Sequence, residues 1–314
     1  MKSPLPIFVM ILSAAVFALA TVLMLQGQPF FSRWYYCFAW WPYILFVQSL
    51  LRLRNGAALL YRDPARFLTL LPLSVIIWLI FEVFNFRLNN WHYIGLPAST
   101  LERWTGYILS YATVVPGIFT TAALLENLGV FSTLEKVRAL KAPRRLFLPC
   151  VILGSLCYVL PLAWPRFFFP LVWGSFVLLL EPINYQMGAP SLLRAWSRGS
   201  LRTAALLLAS GAICGLLWEL WNFWAGSKWV YTVPFVGHVK LFEMPVLGFL
   251  GFPPFALECY AMVYFLKGLG RTALTTLSPA GRTVWFGLAV AAGTAFTLIT
   301  LNGIDLYTVL SLAP

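Results

Sequence analysis

The chain has 314 residues, of which 61% are hydrophobic and only 10% charged, and its net charge is +12. A soluble globular domain has about 25% charged residues, so a water-soluble fold is excluded. The basic balance could suggest a nucleic-acid partner, but the placement of the cations, described below, gives it a different meaning.

Crossing the ~30 Å hydrocarbon layer takes roughly 20 apolar residues in a helix, and about nine such stretches follow one another along the chain. The first is 5–27. Lys2, the apolar run and "ALA" at 18–20 imitate a cleavable secretory leader. The run continues through "TVLML", so it reads as an uncleaved span. The others are 36–53, 67–86, 106–125, 146–164, 167–185, 202–224, 245–266 and 283–301. Lipid offers the backbone no hydrogen-bond partners, and the segments are too long for barrel strands. The expected fold is all-α: a polytopic membrane helical bundle of about nine transmembrane helices, with no soluble domain.

With the N-terminus inside, sixteen Lys and Arg fall on inner segments, from Lys2 to Arg282. Six fall on outer ones: Arg33, Arg87, Arg103, Arg166, Lys228 and Lys240. That bias predicts a cytoplasmic N-terminus and an external C-terminus, in a bacterial inner membrane. The basic loops read as a topogenic signal, in touch with anionic lipid, and no nucleic-acid partner is expected. The five cysteines lie in apolar helices without CxxC spacing. They predict core residues, with no disulfide framework or zinc site.

The chain also repeats itself. "FEVFNF" at 81–86 aligns with "WELWNF" at 218–223, and "WHY" at 91–93 follows the first as "WVY" at 229–231 follows the second. Each motif has a basic inner loop upstream and a proline-containing helix downstream, Pro116 and Pro253–Pro254. The expected organisation is one membrane domain of two four-helix pseudo-repeats, 1–130 and 144–268, plus an additional helix at 283–301. An even number of helices per unit makes the repeat parallel, about an axis along the membrane normal.

Glu82 with Asn85, and Glu219 with Asn222, are spaced i, i+3 and share one helix face. A charge at the bilayer centre costs on the order of 3 kcal/mol, so that face is expected to look into the bundle. Two more acids lie in predicted spans. Glu258 follows the two prolines, which are expected to bend span 8. Glu181 is near an inner end and could reach the interface. Glu102 and Glu243 occupy equivalent outer loops. Three structural readings stay open. The Glu–Asn pairs could be interhelical hydrogen-bond glue. Trp91, Tyr93, Trp229 and Tyr231 could be interface anchors. His92 and His238 could join glutamates at a metal, although neither HxxxH nor HExxH spacing occurs. No metal and no cofactor is predicted, and the chain carries no phosphate loop, nucleophile elbow or dinucleotide fingerprint.

Residues 216–265, "LLWELWNFWAGSKWVYTVPFVGHVKLFEMPVLGFLGFPPFALECYAMVYF", resemble the membrane lycopene cyclase family of carotenoid synthesis. Glu219 and Asn222 match an acid near Asn at a helix end, Trp229 and Tyr231 a Trp-x-Tyr loop, and Pro254 with Glu258 a proline-containing helix start. In the first half Glu82, Asn85, Trp91 and Tyr93 match, with no counterpart of Glu258. The family's acid and Asn are adjacent, whereas here they are three apart, and its Pro-x-Glu-Glu is reduced to one acid. The resemblance implies acid–base chemistry on an isoprenoid-like lipid. Glu219 or Glu258 would donate the proton, Asn222 would orient it, and Glu82–Asn85 would be the equivalent pair. Trp218, Trp221, Trp229, Tyr231, Trp91, Tyr93 and Glu243 would contact a hydrophobic small-molecule substrate drawn from the membrane lipid, with cation stabilisation by aromatic faces such as Trp218, Trp221 and Trp224. A proton-coupled transporter or lipid-binding carrier, and a non-catalytic scaffold, are the alternatives.

Overall fold

The computed structural model describes residues 4–313, so Lys2 lies outside it. Helix α1 (Leu5–Leu25) returns through Gly27 into α2 (Pro29–Leu53), and the two pack along their length. A short turn, α3 (Leu59–Arg62), leads to α4 (Pro64–Leu88). The Asp63 side chain caps α4 by accepting the Arg66 N–H at 2.9 Å, and Asn89 ends it in the left-handed region at φ 52°.

After α4 come β1 (Trp91–Ile94) and β2 (Leu96–Pro97). Helices α5 (Thr100–Tyr111) and α6 (Val114–Asn127) together make one crossing, 100–127, interrupted at residues 112–113. Next are α7 (Phe147–Ala163), α8 (Pro165–Phe168), α9 (Val172–Gln186), α10 (Leu192–Ser197) and α11 (Arg202–Trp224). The chain then forms β3 (Lys228–Tyr231), β4 (Lys240–Leu241), β5 (Met244–Pro245) and a 3-10 segment, Val246–Gly251. It closes with α12 (Phe252–Thr276), α13 (Pro279–Tyr307) and β6 (Leu312–Ala313).

Among the described residues, eight helical segments are long and apolar enough to cross a membrane. The 25-residue α2 is the ninth long helix, but its Trp, Tyr, Gln and Arg lower its apolarity. The chain is therefore an all-α polytopic bundle and an integral membrane protein. Helices α1, α7 and α13 turn Phe8, Ile11, Leu148, Leu288 and Ile299 outward, which is stable only against lipid. The core gathers Trp40, Ile44, Phe81, Phe255 and Ile304 at the meeting of α2, α4, α11, α12 and α13.

The prolines stand where two crossings, 100–127 and Val246–Thr276, change backbone form. Pro116 lies in the first turn of α6, and Pro253–Pro254 lie in the first turn of α12, which begins at Phe252 rather than residue 245. First-turn N–H groups have no intrahelical partner, so each proline is accommodated where the α-helix restarts inside its crossing, after the interruption at 112–113 and after the 3-10 segment. Close contact between α11 and α12 depends on Gly211 and Gly215. A Cβ on Gly211 would lie 2.5 Å from the Phe252 carbonyl oxygen, and one on Gly215 would overlap the Phe252 ring.

A two-stranded ribbon closes one end of the bundle. Strand β1 pairs antiparallel with β3, in the register Trp91↔Tyr231, His92↔Val230, Tyr93↔Trp229 and Ile94↔Lys228. Gly95 has φ +64°, and a Cβ there would overlap the Gly226 carbonyl, so only glycine fits this crossing. The last helix is not an appendage. Leu96 and Pro97 of β2 pair with Leu312 and Ala313 of β6, the Tyr93 N–H donates to Thr308, and the Leu310 N–H donates to Tyr93.

Candidate functional site

Each Asn ties its helix to the strand that follows. Asn85 Nδ2 donates to the Trp91 carbonyl at 2.8 Å, and its Oδ1 accepts from the N–H groups of Asn90 (2.8 Å) and Trp91 (3.2 Å). Asn222 makes the corresponding clasp: Nδ2 to the Trp229 carbonyl at 2.8 Å, and Oδ1 from the Trp229 N–H at 2.9 Å. An amide can do this because it presents donor and acceptor side by side. Strand alternation then puts Trp91, Tyr93, Trp229 and Tyr231 on one face of the ribbon, with His92 and Val230 on the other.

That face meets the carboxylates. Tyr93 donates its hydroxyl to Glu82 Oε1 at 2.5 Å, joined by Trp78 Nε1 at 2.8 Å and Trp91 Nε1 at 3.1 Å. Tyr111 in turn donates to the Tyr93 oxygen at 3.0 Å. In the other half Tyr231 donates to Glu219 Oε1 at 2.8 Å, and Trp229 Nε1 donates to Tyr231 at 2.8 Å. The two acids differ in saturation. Three side-chain donors converge on Glu82, an arrangement suited to an acceptor-only carboxylate. Glu219 Oε2 is buried and, among the described residues, has no hydrogen-bond partner. Burial first, then the adjacent carboxylate, raises both Tyr93 and Tyr231 well above the ordinary phenol value of 10.0, so both hydroxyls keep their protons as donors.

The tyrosines wall a cavity of about 160 Å³ at the ribbon end of the bundle. Trp78, Trp91, Tyr93 and Tyr111 line one side, Trp218, Trp229 and Tyr231 the other, and Trp173, Phe252 and Phe255 close it. Arg33, Arg103 and Lys228 stand in its wall as well. Their charges are paired: Arg33 with Glu102 at 3.2 Å, Lys228 with Glu243 at 2.6 Å, and Arg103 with Asp305 at 2.7 Å. Arg103 grips Asp305 with both Nε and Nη2, and Trp104 and Tyr107 donate to the same carboxylate.

Glu82, Asn85, Glu219, Asn222 and Glu258 are all fully buried. The acids of the two motifs do not line the cavity themselves; Tyr93 and Tyr231 stand between them and it. Four more of the expected residues stand outside the cavity wall. Glu258 accepts the Phe176 N–H at 2.8 Å, joining α12 to α9 away from the cavity wall. Trp221 packs among Phe17, Trp40 and Tyr43 as core. Glu243 serves as the Lys228 partner, and Trp224 is half exposed at 49%.

Glu181 does not reach an interface. It is buried and caps α10 by accepting from Ser191 (2.7 Å) and the Leu193 N–H (2.9 Å). Trp91 and Tyr93 are buried, so they are not interface anchors. His92 Nδ1 lies 3.3 Å from Thr232, partial burial lowers its pKa, and His238 is exposed. Among the described residues no three His, Cys, Asp or Glu side chains group as a metal site.

Sequence reasoning missed Trp78, Arg103, Tyr107, Tyr111, Trp173 and Asp305. Some signal was there. Trp78 is one turn before Glu82, and Arg103, Tyr107 and Tyr111 are spaced at i, i+4 and i+8 on α5. Comparison with family models, curated proteins and solved structures finds no match to this chain.

Proposed function

We propose that the chain is a membrane-embedded enzyme that performs redox-neutral acid–base chemistry on an isoprenoid-like lipid held in the aromatic cavity. One observation carries the reading: two tyrosine hydroxyls, each hydrogen-bonded to a buried glutamate, line the same cavity. In this reading Tyr231 delivers a proton to a substrate alkene and is reprotonated by Glu219, which unlike Glu181 and Glu258 is hydrogen-bonded to a hydroxyl in the cavity wall and unlike Glu82 keeps one oxygen uncommitted. The resulting cation lies against the faces of Trp218 and Trp229. A proton from an adjacent carbon then returns through Tyr231 to the Glu219 carboxylate, which leaves a rearranged or cyclised alkene and restores the starting acid, with Tyr93–Glu82 as the equivalent pair across the cavity. No oxidant or second substrate is needed. The matched Asn clasps and Tyr–Glu bonds support descent of the two halves from one four-helix unit. The Lys and Arg distribution supports a cytoplasmic N-terminus in a bacterial inner membrane, with the cavity toward the external leaflet.

The test is to extract and weigh the lipid that copurifies with the protein, then to follow its conversion. A polyprenyl or carotenoid-like species is expected. Glu219→Gln should retain that lipid and lose its conversion; full turnover by this variant would end the assignment. A second reading, a proton-coupled carrier, draws on the 3-10 segment Val246–Gly251, whose Gly248 and Gly251 line the cavity, because irregular backbone at such sites is a transporter device. Lipid flux that follows a proton gradient in sealed vesicles, without chemical change, would favour it.

A further inference from the structure

Beside the cavity runs a second space, an apolar groove on the lipid-facing flank of about 980 Å³, bounded by α1 and α2, by Leu60, Tyr61 and Pro64 at the α3–α4 turn, and by Leu109 of α5. It follows α2 from Phe30 to Leu45, about 22 Å at about 1.5 Å per residue, most of the ~30 Å hydrocarbon thickness. Leu5, Leu12, Phe30 and Leu109 open it to lipid.

Its polar atoms are already committed. The Ser13 hydroxyl donates to the Val9 carbonyl (2.7 Å), and Trp41 Nε1 to the Leu109 carbonyl (3.2 Å). The Tyr61 hydroxyl bonds Ser49 (2.8 Å), Trp34 Nε1 donates to Glu102 (3.3 Å), and the Cys37 thiol meets Ser110 (3.3 Å). What remains for an occupant is hydrocarbon, so a headgroup has nothing to bind there.

Two residues, Trp34 and Cys37, belong to both the groove and the cavity. They form the partition between the two spaces, tied to α5 at Glu102 and Ser110. Opposite the Trp34 ring lies Gly106, where a Cβ would come into ordinary contact at 3.9 Å, so glycine leaves a methyl-sized gap beside the indole.

We infer that the groove seats the hydrocarbon tail of a membrane lipid and is its lateral route into the cavity, with Trp34 and Cys37 as the partition it passes. The inference rests on the reading of the cavity as a lipid site. The wall shared with that cavity, together with the spent polar groups, favours a chain over a partner helix.

The probe is phosphatidylcholine carrying a diazirine on its tail, present in trace in phosphatidylcholine vesicles that hold the full chain. After irradiation the adducts are mapped by peptide mass spectrometry. Adducts should concentrate at residues 9–16 and 34–45, several-fold above the equally exposed faces of α7 and α13. Leu12→Trp and Leu109→Trp fill the groove from side chains that already face lipid, so the fold should tolerate them. They should suppress the groove adducts and slow lipid exchange into the cavity, with α7 and α13 labelling unchanged.

Even labelling of all lipid-facing helices overturns the inference. So does a dimer that Leu12→Trp dissolves, which would give the groove to a helix. Selective groove labelling with no adduct at Trp91 or Trp229 overturns the route between the spaces. Full lipid loading of the filled variants does the same while leaving the enzyme reading intact. Loss of conversion in Glu219→Gln tests that reading separately.

Discussion

At the level of single residues, the two asparagines do the same work under unequal load. Asn85 satisfies three backbone groups and Asn222 two. Each buried group left without a partner costs about 1–3 kcal/mol. Asn85→Ala should therefore lower the thermal midpoint in detergent more than Asn222→Ala, and the reverse order would break the account. The phenols give a pH signature. Folded Tyr93 and Tyr231 hold their protons above the ordinary value of 10.0, because burial and then the neighbouring glutamate oppose ionisation. The stability they contribute is whole below that value and falls as pH rises past it, since only the unfolded chain then releases the proton. Tyr93→Phe should flatten part of the alkaline decline of the wild type in thermal melts. The Glu–Asn spacing was legible because two residues at i, i+3 must share a face. The tyrosines standing in front of the acids were not, because that depends on how β1 and β3 pair across the chain.

At the level of elements, the α11–α12 contact sets how closely the wall with Trp218 approaches the one with Phe252 and Phe255. Gly211 and Gly215 leave no room for a methyl group against Phe252. Overpacking a well-filled contact costs about 1–3 kcal/mol, so Gly211→Ala should destabilise the bundle by that order in denaturant melts. An unchanged melt would show that Phe252 yields freely. Helix α11, Arg202–Trp224, coincides with the stretch 202–224 read from hydropathy, because nothing but length and apolarity defines it. The start of α12 did not, because Val246–Gly251 is just as apolar but winds as a 3-10 segment. Hydropathy does not distinguish these two backbone forms. Helix α2 shows the converse: its aromatic and polar content keeps it below the hydropathy of the eight candidate crossings, yet it supplies Trp34, Tyr36 and Cys37 to the cavity.

At the level of the whole molecule, the last helix locks the site. Asp305, near the end of α13, receives Arg103, Trp104 and Tyr107 from α5, and the residues after it pair with Tyr93 and β2. Arg103 and Asp305 are largely buried, with side chains 8% and 16% exposed. Removing one partner of such a pair costs about 3–5 kcal/mol for a fully buried case, and this pair belongs at or below the low end of that range. Asp305→Asn should lower the melting midpoint and quicken hydrogen exchange in β1 and β2, while amides in α7 keep their rate. Equal protection throughout would remove the lock. This link could not be read from the sequence, where 283–301 stood as an additional span beyond two four-helix units. Its role depends on contacts between residues about two hundred positions apart.

The β6 strand that completes the ribbon end is also late in the order of synthesis. Once α12 has been made and before α13 is complete, every residue of the aromatic walls is present, but Tyr93 lacks the neighbours that fix its backbone. A nascent chain would thus hold an assembled but unlatched pocket until residues 305–313 emerge, and any product that stops short of them would carry the aromatic walls without a fixed floor.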